Sequence, residues 1–203
     1  FEKSIIDSLK WLNINWDNEI YKQSENIKKH IMIGKKLLSI NGAYKCICTP
    51  EKLEKTRKEK IKKGQSIKRL CNTCEKDKKI QLLKKDYCIR IKVPQDGFTE
   101  FSDEIQGKIR VTNNEIDNYV LLRTDGTPTY MLSVVVDDHF MNISHIIRGD
   151  DHLNNAFRQI HLYKNLKWKV PQFAHIPLIH GDDGKKLSKR HGSVNVIDFK
   201  KEG

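Results

Sequence analysis

Cationic and hydroxyl side chains are concentrated in one short stretch near the C-terminal end, HGDDGKKLSKRHG, which runs from His180 to Gly192. Its Asp-Asp-Gly opening is typical of a tight turn. The side chains that follow could bind phosphate: Lys185, Lys186, Ser188, Lys189 and Arg190. Because phosphoryl and nucleotidyl transfers depend mainly on positioning and on neutralising developing charge, lysines in such a loop can be catalytic without acting as bases. The stretch therefore predicts a polyphosphate-binding loop, and a solvated turn is the alternative.

Four of the five cysteines form a second chemical signal, with the pairs CxC and CxxC separated by 22 residues: Cys46, Cys48, Cys71 and Cys74. Four thiolates could hold a tetrahedral zinc ion and fix a polar segment that has little apolar material of its own. Reduced thiols without a metal are the alternative. The fifth cysteine, Cys88, alternates with Tyr87 and Ile89 and is expected to be a packed strand residue.

Positive charge is clustered within the chain, whose formal net charge is +12. The segment Glu51–Lys85 holds 14 Lys and Arg against 5 Asp and Glu, a net of +9. Such a field attracts polyanions such as nucleic acid, although a solvated lysine-rich surface would look the same. No apolar stretch is long enough to span a membrane, and the first residues lack the apolar core of a secretory signal, so a cytoplasmic protein is expected.

The elements that must position these residues begin with helices and continue with strands. Predicted helices are Phe1 to Leu12, Ser24 to about Ser39, and a charged helix to about Lys63 that Thr49 and Pro50 begin and Gly64 ends. A polar excursion, Gly64 to Asp86, follows. Predicted strands are Tyr87 to Val93, Gly97 to Phe101 and Ile109 to Thr112.

The chain becomes more apolar from Thr129 onwards. TYMLSVVVDD, beginning at Thr129, is predicted to be a strand buried on both faces. ISHIIRG and FAHIPLI are two further strands, and DDHLNNAFRQIHLYKNL between them is a helix. A strand, a helix and a strand at this spacing indicate a parallel βαβ unit. The layout predicts an α/β core that is interrupted by a basic, partly β insertion at residues 45–128.

Five blocks of sequence together resemble one family of enzymes. Lys186-Leu187-Ser188-Lys189-Arg190 resembles the second signature of class I aminoacyl-tRNA synthetases. The blocks similar to bacterial-type glutamyl-tRNA synthetases, in order and spacing, are LKWLNINWD (Leu9–Asp17), AYKCICTPEKLE (Ala43–Glu54), DGTPTY (Asp125–Tyr130), HIIRGDDHLNN (His145–Asn155) and GDDGKKLSKRHG. The resemblance covers essentially the whole chain.

The resemblance implies a Rossmann-type catalytic core made of residues 1–44 and 129–203, with 45–128 as an insertion that binds the acceptor stem of tRNA. The implied enzyme is a monomer that uses ATP and Mg²⁺ to form glutamyl-adenylate from glutamate. It then transfers the glutamyl group to the 3′ end of tRNA(Glu).

Roles for the lysine loop follow from the same resemblance. Lys186 and Lys189 would contact and neutralise the ATP phosphates, and Ser188 would help to shape the loop, so these three are the predicted catalytic residues. Leu187 and Arg190 complete the predicted ATP-binding loop.

Three residues outside the loop match positions around the family's substrates. Tyr130 and Arg148 would line the glutamate pocket, where the planar fork of an arginine suits a carboxylate. A core position for Tyr130, and an ion pair of Arg148 with Asp150 or Asp151, are the alternatives. His152 would lie near the nucleotide, or is simply a polar residue at the start of a helix.

The chain departs from the family pattern at two places. In many bacterial members a zinc site begins with CxC here, but the position that often holds histidine or tyrosine in the second pair is Thr73, with Cys74 next to it. None of the eight histidines lies in a His-x-Gly-His signature. We therefore expect an interior fragment without the anticodon-binding domain, inactive by itself.

Two other functions remain open on the sequence. A paralogue that glutamylates the queuosine base of tRNA(Asp) also lacks the anticodon-binding domain, so the expected absence of that domain does not exclude it, although the KRHG ending of the lysine loop favours the synthetase. A non-catalytic, basic, zinc-stabilised RNA-binding module would explain the charge and the cysteines but not the other blocks.

Overall fold

The computed structural model describes residues 2–71, 73–180 and 184. The chain divides into two compact units, Phe1–Lys22 with Pro177–Gly203 and Gln23–Ile176. In the first unit, helix α1 (Glu2–Trp11) confirms the predicted first helix. Within the described residues, no helix has the length and hydrophobicity needed to cross a membrane.

Among its described residues, the second unit contains five α-helices: α2 (Ile27–Ser39), α3 (Pro50–Lys62), α4 (Lys78–Gln81), α5 (Tyr130–Phe140) and α6 (Leu153–Leu166). Helix α3 begins as its sequence predicts, because the Thr49 hydroxyl accepts a hydrogen bond from the Lys52 amide at 3.3 Å and Pro50 occupies the first turn. It ends before Gly64, whose φ of +63° is readily adopted by glycine.

Two sheets lie in the second unit. Strands β1 (Ala43–Cys46), β2 (Cys88–Ile91) and β5 (Val120–Leu122) form an antiparallel sheet in the order β1-β2-β5. Strands β3 (Phe98–Asp103), β4 (Gly107–Thr112), β6 (His145–Gly149) and β7 (Gln172–Ile176) form a mixed sheet in the order β4-β3-β7-β6. Strands β6 and β7 are parallel and are connected by α6, which confirms the predicted βαβ unit and the α/β class.

One predicted element is wrong. TYMLSVVVDD forms helix α5, not a doubly buried strand. Leu132, Val135 and Val136 are all 0% exposed, at the i, i+3 and i+4 spacing that places side chains on one helical face. A short apolar run has the same appearance in a buried strand and a buried helix, and the preference of valine for strands depends on its surroundings.

The main apolar core joins parts of the chain that are distant in sequence. Helix α5 packs against α2 and α6, and its valines share a buried cluster with Ile33, Leu37 and Tyr163. Strand β3, from the predicted insertion, pairs in parallel with β7 at Asp103 and Phe173. The three predicted domain segments stay a prediction.

Candidate functional site

Arg148 lies near the carboxyl end of β6 and is held by its neighbours. It is in register with His175 on β7, and its Nε donates to His175 Nε2 at 3.1 Å. Its Nη2 donates to Gln159 Oε1 on α6 at 2.9 Å, and the guanidinium lies 5.6 Å from the centroid of the Phe173 ring. Burial lowers the pKa of Arg148, whereas the nearby Tyr130 raises it. The side chain is therefore a partly buried cation with a defined orientation.

A buried carboxylate supports this arginine through the histidine. His175 Nδ1 lies 2.6 Å from Asp103 Oδ2, and both side chains are fully buried. The other oxygen, Oδ1, accepts hydrogen bonds from the backbone amides of Ile105, Gln106 and His175 at 3.0–3.1 Å. Burial alone would raise the pKa of Asp103, but the hydrogen bonds from Gln106, His175 and Ile105 outweigh it and lower this pKa to about 2. Asp103 is therefore ionised.

Tyr130 is the first residue of α5, and a hydrogen-bonded turn before the helix fixes its position. In that turn Asp125 Oδ1 accepts hydrogen bonds from the backbone amide and the hydroxyl of Thr127, at 2.8 and 2.7 Å. Thr129 Oγ1 donates to the Val120 carbonyl at 2.8 Å, which fixes the start of α5. Tyr130 is 51% exposed, so the alternative of a core aromatic is wrong. The structure brings Tyr130 and Arg148 together, while their contact with glutamate stays a prediction.

The other predicted substrate residues have different outcomes. His152 ends a 3₁₀ turn, Asp150–His152, immediately before α6, and its Nδ1 lies 3.1 Å from Asn155 Nδ2. This position fits both interpretations of His152, so its nucleotide contact stays a prediction. Five residues of the predicted ATP-binding loop lie outside the described residues: Lys186, Leu187, Ser188, Lys189 and Arg190.

The sulfur atoms of the four predicted metal ligands, Cys46, Cys48, Cys71 and Cys74, lie close together. Their Sγ atoms all lie within 4.8 Å of one another. The Cys46–Cys71, Cys48–Cys71 and Cys48–Cys74 separations are 3.6, 3.4 and 3.6 Å. A tetrahedron with Zn–S bonds of about 2.3 Å has edges of about 3.8 Å, so these thiols have nearly the spacing that zinc requires. The fourth sulfur of the cluster belongs to Cys74, the residue that follows Thr73.

Hydrogen bonds hold the polar excursion around this cluster. Gln81 Nε2 donates to the carbonyls of Cys74 and Lys45, at 2.6 and 3.0 Å. The Lys45 amide donates back to Gln81 Oε1 at 2.9 Å. On the other side Arg69 donates to the carbonyls of Val93, Pro94 and Asn113, at 2.7–2.9 Å. The excursion is therefore attached to β1 through Gln81, and through Arg69 to the segment after β2 and to Asn113 after β4.

The protonation of the thiols is shared within the cluster. Hydrogen bonding with Cys71 and Cys88 lowers the pKa of the Cys46 thiol below its ordinary value. Burial raises the pKa of Cys48 to about 11. Cys88 is buried in β2 opposite Cys46, as a packed strand residue, which confirms its predicted place. A zinc ion bound by Cys46, Cys48, Cys71 and Cys74 would take all four of them as thiolates.

The basic segment Glu51–Lys85 presents its charge to solvent. All of its 14 cations except Lys60 and Arg69 are exposed. Lys60 Nζ donates to the Arg69 carbonyl at 2.6 Å, so these two cations help to fold the segment. The other twelve are available to a polyanion.

Three residues of the Arg148 site were missed by sequence reasoning: Asp103, Gln159 and His175. The sequence does carry a weak signal, because His175 interrupts the apolar run FAHIPLI and Asp103 ends a strand. Polar residues at such places are unusual unless they have partners. Their partners lie 72 and 27 residues away, too far for any local pattern.

A parallel βαβ unit with a fixed arginine near its carboxyl edge is typical of α/β domains of the Rossmann type. More specifically, the chain belongs to the class I tRNA synthetases: the family model "tRNA synthetases class I (E and Q), catalytic domain" matches residues 1–203.

Relatives and solved structures agree with this family. The chain is 48% identical over 200 residues to glutamate–tRNA ligase 1 of Ehrlichia canis, covering 98% of this chain and 42% of the relative. It is 48% identical over 206 residues to glutamate–tRNA ligase 1 of Orientia tsutsugamushi, covering 100% and 43%. A solved glutamate tRNA ligase from Elizabethkingia meningosepticum in complex with its amino acid superposes with a TM-score of 0.78 at 32% identity, covering 94% of this chain and 42% of that one. The chain thus spans less than half the length of the proteins it matches.

Proposed function

We propose that the protein containing this chain is a glutamate–tRNA ligase. It activates glutamate with ATP and Mg²⁺ to glutamyl-adenylate and transfers the glutamyl group to the 3′ end of tRNA(Glu). The observation that carries the proposal is the fixed guanidinium of Arg148 beside the half-exposed Tyr130, in a class I (E and Q) catalytic domain. The names of the relatives support the same activity.

Arg148 has the geometry to bind the carboxylate of glutamate. His175 and Gln159 take one edge of the guanidinium, formed by Nε and Nη2. The edge formed by Nη1 and Nη2 can present two parallel N–H groups to a carboxylate. This two-point contact is the strongest arrangement for an arginine and a carboxylate. Because the protein already holds the side chain, little conformational entropy is lost when the substrate binds. Tyr130 would form the adjoining wall and supply a hydroxyl.

The remaining steps use residues of the lysine loop and the basic segment. Lys186 and Lys189 neutralise the phosphates of ATP as the bond to the leaving pyrophosphate breaks, and Ser188 shapes the loop with Leu187 and Arg190. His152 contributes to the nucleotide side. The exposed cations of Glu51–Lys85 attract the acceptor stem of tRNA through its phosphates. The enzyme works as a monomer in the cytoplasm.

Zinc has a structural role in this proposal. The four thiols Cys46, Cys48, Cys71 and Cys74 fit a tetrahedral ion, and the buried cluster around them is small. The ion would cross-link the end of β1 to the excursion and so support the basic segment. It would take no part in the chemistry.

The proposal is tested by separating the two predicted roles in the full-length protein. Arg148→Ala should raise the KM for glutamate, because it removes a ground-state carboxylate contact. Lys189→Ala should slow adenylate formation by about 10²- to 10³-fold with small changes in KM, because its contact tightens as the bond breaks. Both are measured by ATP–pyrophosphate exchange and tRNA charging.

Arg158→Ala is the matched control for Arg148→Ala. Arg158 is also partly buried and forms an ion pair with Asp117 at 2.7 Å, so Arg158→Ala measures the general effect of removing a partly buried, paired arginine. Arg158→Ala should leave the glutamate KM close to that of the parent. If Arg148→Ala also left the glutamate KM unchanged, Arg148 would not bind the substrate carboxylate.

A further inference from the structure

The two oxygens of Asp103 have different hydrogen-bond partners, and these partners fix the orientation of the carboxylate. Oδ1 accepts three backbone N–H groups, from Ile105, Gln106 and His175. Oδ2 faces only the imidazole among these partners, at 2.6 Å from His175 Nδ1. Since the carboxylate is ionised and can only accept, Nδ1 must carry a proton and donate it to Oδ2.

The other ring nitrogen of His175 must then be an acceptor. Nε2 receives the N–H of Arg148 Nε at 3.1 Å, and an N–H on both atoms would place two donors against each other. The imidazole is therefore neutral, with its single proton on Nδ1. The chain of hydrogen bonds runs in one direction, from Arg148 to His175 to Asp103.

We propose that Asp103 and His175 are positioning residues for the substrate carboxylate, because Asp103 sets the imidazole tautomer that lets His175 accept from Arg148. The inference rests on the proposed function of Arg148 as the glutamate-binding arginine. His175 aims the guanidinium, and Asp103 prevents the imidazole from turning a donor toward it. Such supporting groups act on substrate affinity without touching the substrate.

Asp103→Asn isolates the tautomer, because it preserves the size of the side chain. The three backbone donors will keep the amide oxygen at the Oδ1 position, so the amide NH₂ will face His175 Nδ1. Nδ1 must then become the acceptor and the proton moves to Nε2, where it opposes Arg148 Nε–H. Loss of one hydrogen bond to a charged group predicts a rise of about 10- to 100-fold in the KM for glutamate.

A second pair of substitutions separates positioning from folding. Glutamine places an amide oxygen near the location of Nε2, so His175→Gln should retain much of the glutamate affinity, whereas His175→Leu should not. The amide of glutamine has no tautomer to reverse. Adding Asp103→Asn to His175→Gln should therefore change the glutamate KM by less than about twofold, although Asp103→Asn alone changes it strongly.

The measurements are the KM values for glutamate and for ATP in the full-length protein, with ¹⁵N-histidine NMR to identify the protonated ring nitrogen. The expected result is a raised glutamate KM, an unchanged ATP KM, and a His175 proton that moves from Nδ1 to Nε2 in Asp103→Asn. Equal rises in both KM values, or a proton that stays on Nδ1, would overturn the proposal. If Asp103→Asn does not fold, the contrast between His175→Gln and His175→Leu decides, and equal glutamate KM values for the two would overturn it.

Failure of the proposed function gives a different pattern. If Arg148→Ala leaves the glutamate KM unchanged, Arg148 does not bind glutamate. The NMR result for Asp103→Asn still reports whether Asp103 sets the tautomer of His175.

Discussion

At Gly34, α2 lies close to both β5 and α5, and Gly34→Ala should destabilise the protein. A methyl group built on Gly34 would lie 2.9 Å from Cγ and Cδ1 of Leu122 and 3.1 Å from Cδ2 of Leu132. Both leucines are buried, at 2% and 0% exposure, so neither can move aside into solvent. Gly34→Ala therefore has two opposing effects on stability: the steric clash lowers the free energy of unfolding, and the higher helix propensity of alanine raises it.

The magnitudes decide the sign. Alanine is favoured over glycine by about 0.8–1.0 kcal/mol in the interior of a helix. Overpacking of a well-packed core costs about 1–3 kcal/mol. The clash should win, with a net loss of about 1 kcal/mol in the free energy of unfolding. Because α5 begins at Tyr130, the displacement of α5 should also raise the glutamate KM.

Urea unfolding of the parent, Gly34→Ala, Leu122→Ala and the double variant tests this argument. Leu122→Ala removes both Cγ and Cδ1, the two atoms that the new methyl group would meet, so Gly34→Ala should be neutral or stabilising in the Leu122→Ala background. A coupling free energy of about 1 kcal/mol or more is expected from such a pair in contact. A Gly34→Ala protein as stable as the parent, with additive effects in the double variant, would refute the close packing.

Two further predictions concern the cysteine cluster and the partly buried carboxylate of Asp138. Purified protein should contain about one zinc per chain. Cys74→Ser should lose the metal while Cys88→Ser, the adjacent buried control, retains it; metal analysis showing zinc in both would exclude Cys74 as a ligand. Burial, with the nearby charge of Asp137, raises the pKa of Asp138 to about 6, from 3.8. Because the folded state holds this proton more tightly, the parent should lose about 1–3 kcal/mol relative to Asp138→Asn between pH 4 and 7. Parallel stability curves in urea across this range would contradict the raised pKa.

Local signals in the sequence predicted local structure well. Thr49 and Pro50 begin α3, and Gly64 follows its end, because capping groups and glycine act within a few residues of their position. The strand, helix and strand around α6 were also predicted correctly, since each carries its own periodicity. The cysteine pairs indicated which thiols could share a metal, and pairing of β1 with β2 and the hydrogen bonds of Gln81 complete that arrangement.

The sequence by itself thus determined the α/β class and the family, because spacing and residue type carry that information directly, and its assignment of substrate-binding and catalytic residues stays a prediction. Only the tertiary structure decided that Thr129–Asp138 contains a helix, since burial between α2 and α6 overrides the strand preference of its valines. Only the tertiary structure joined Asp103 to His175 and His175 to Arg148. Parallel strands bring Arg148 into register with His175, 27 positions further along the chain, and Asp103 into register with Phe173, close enough to reach His175. No pattern along the chain records which of these polar groups will face each other.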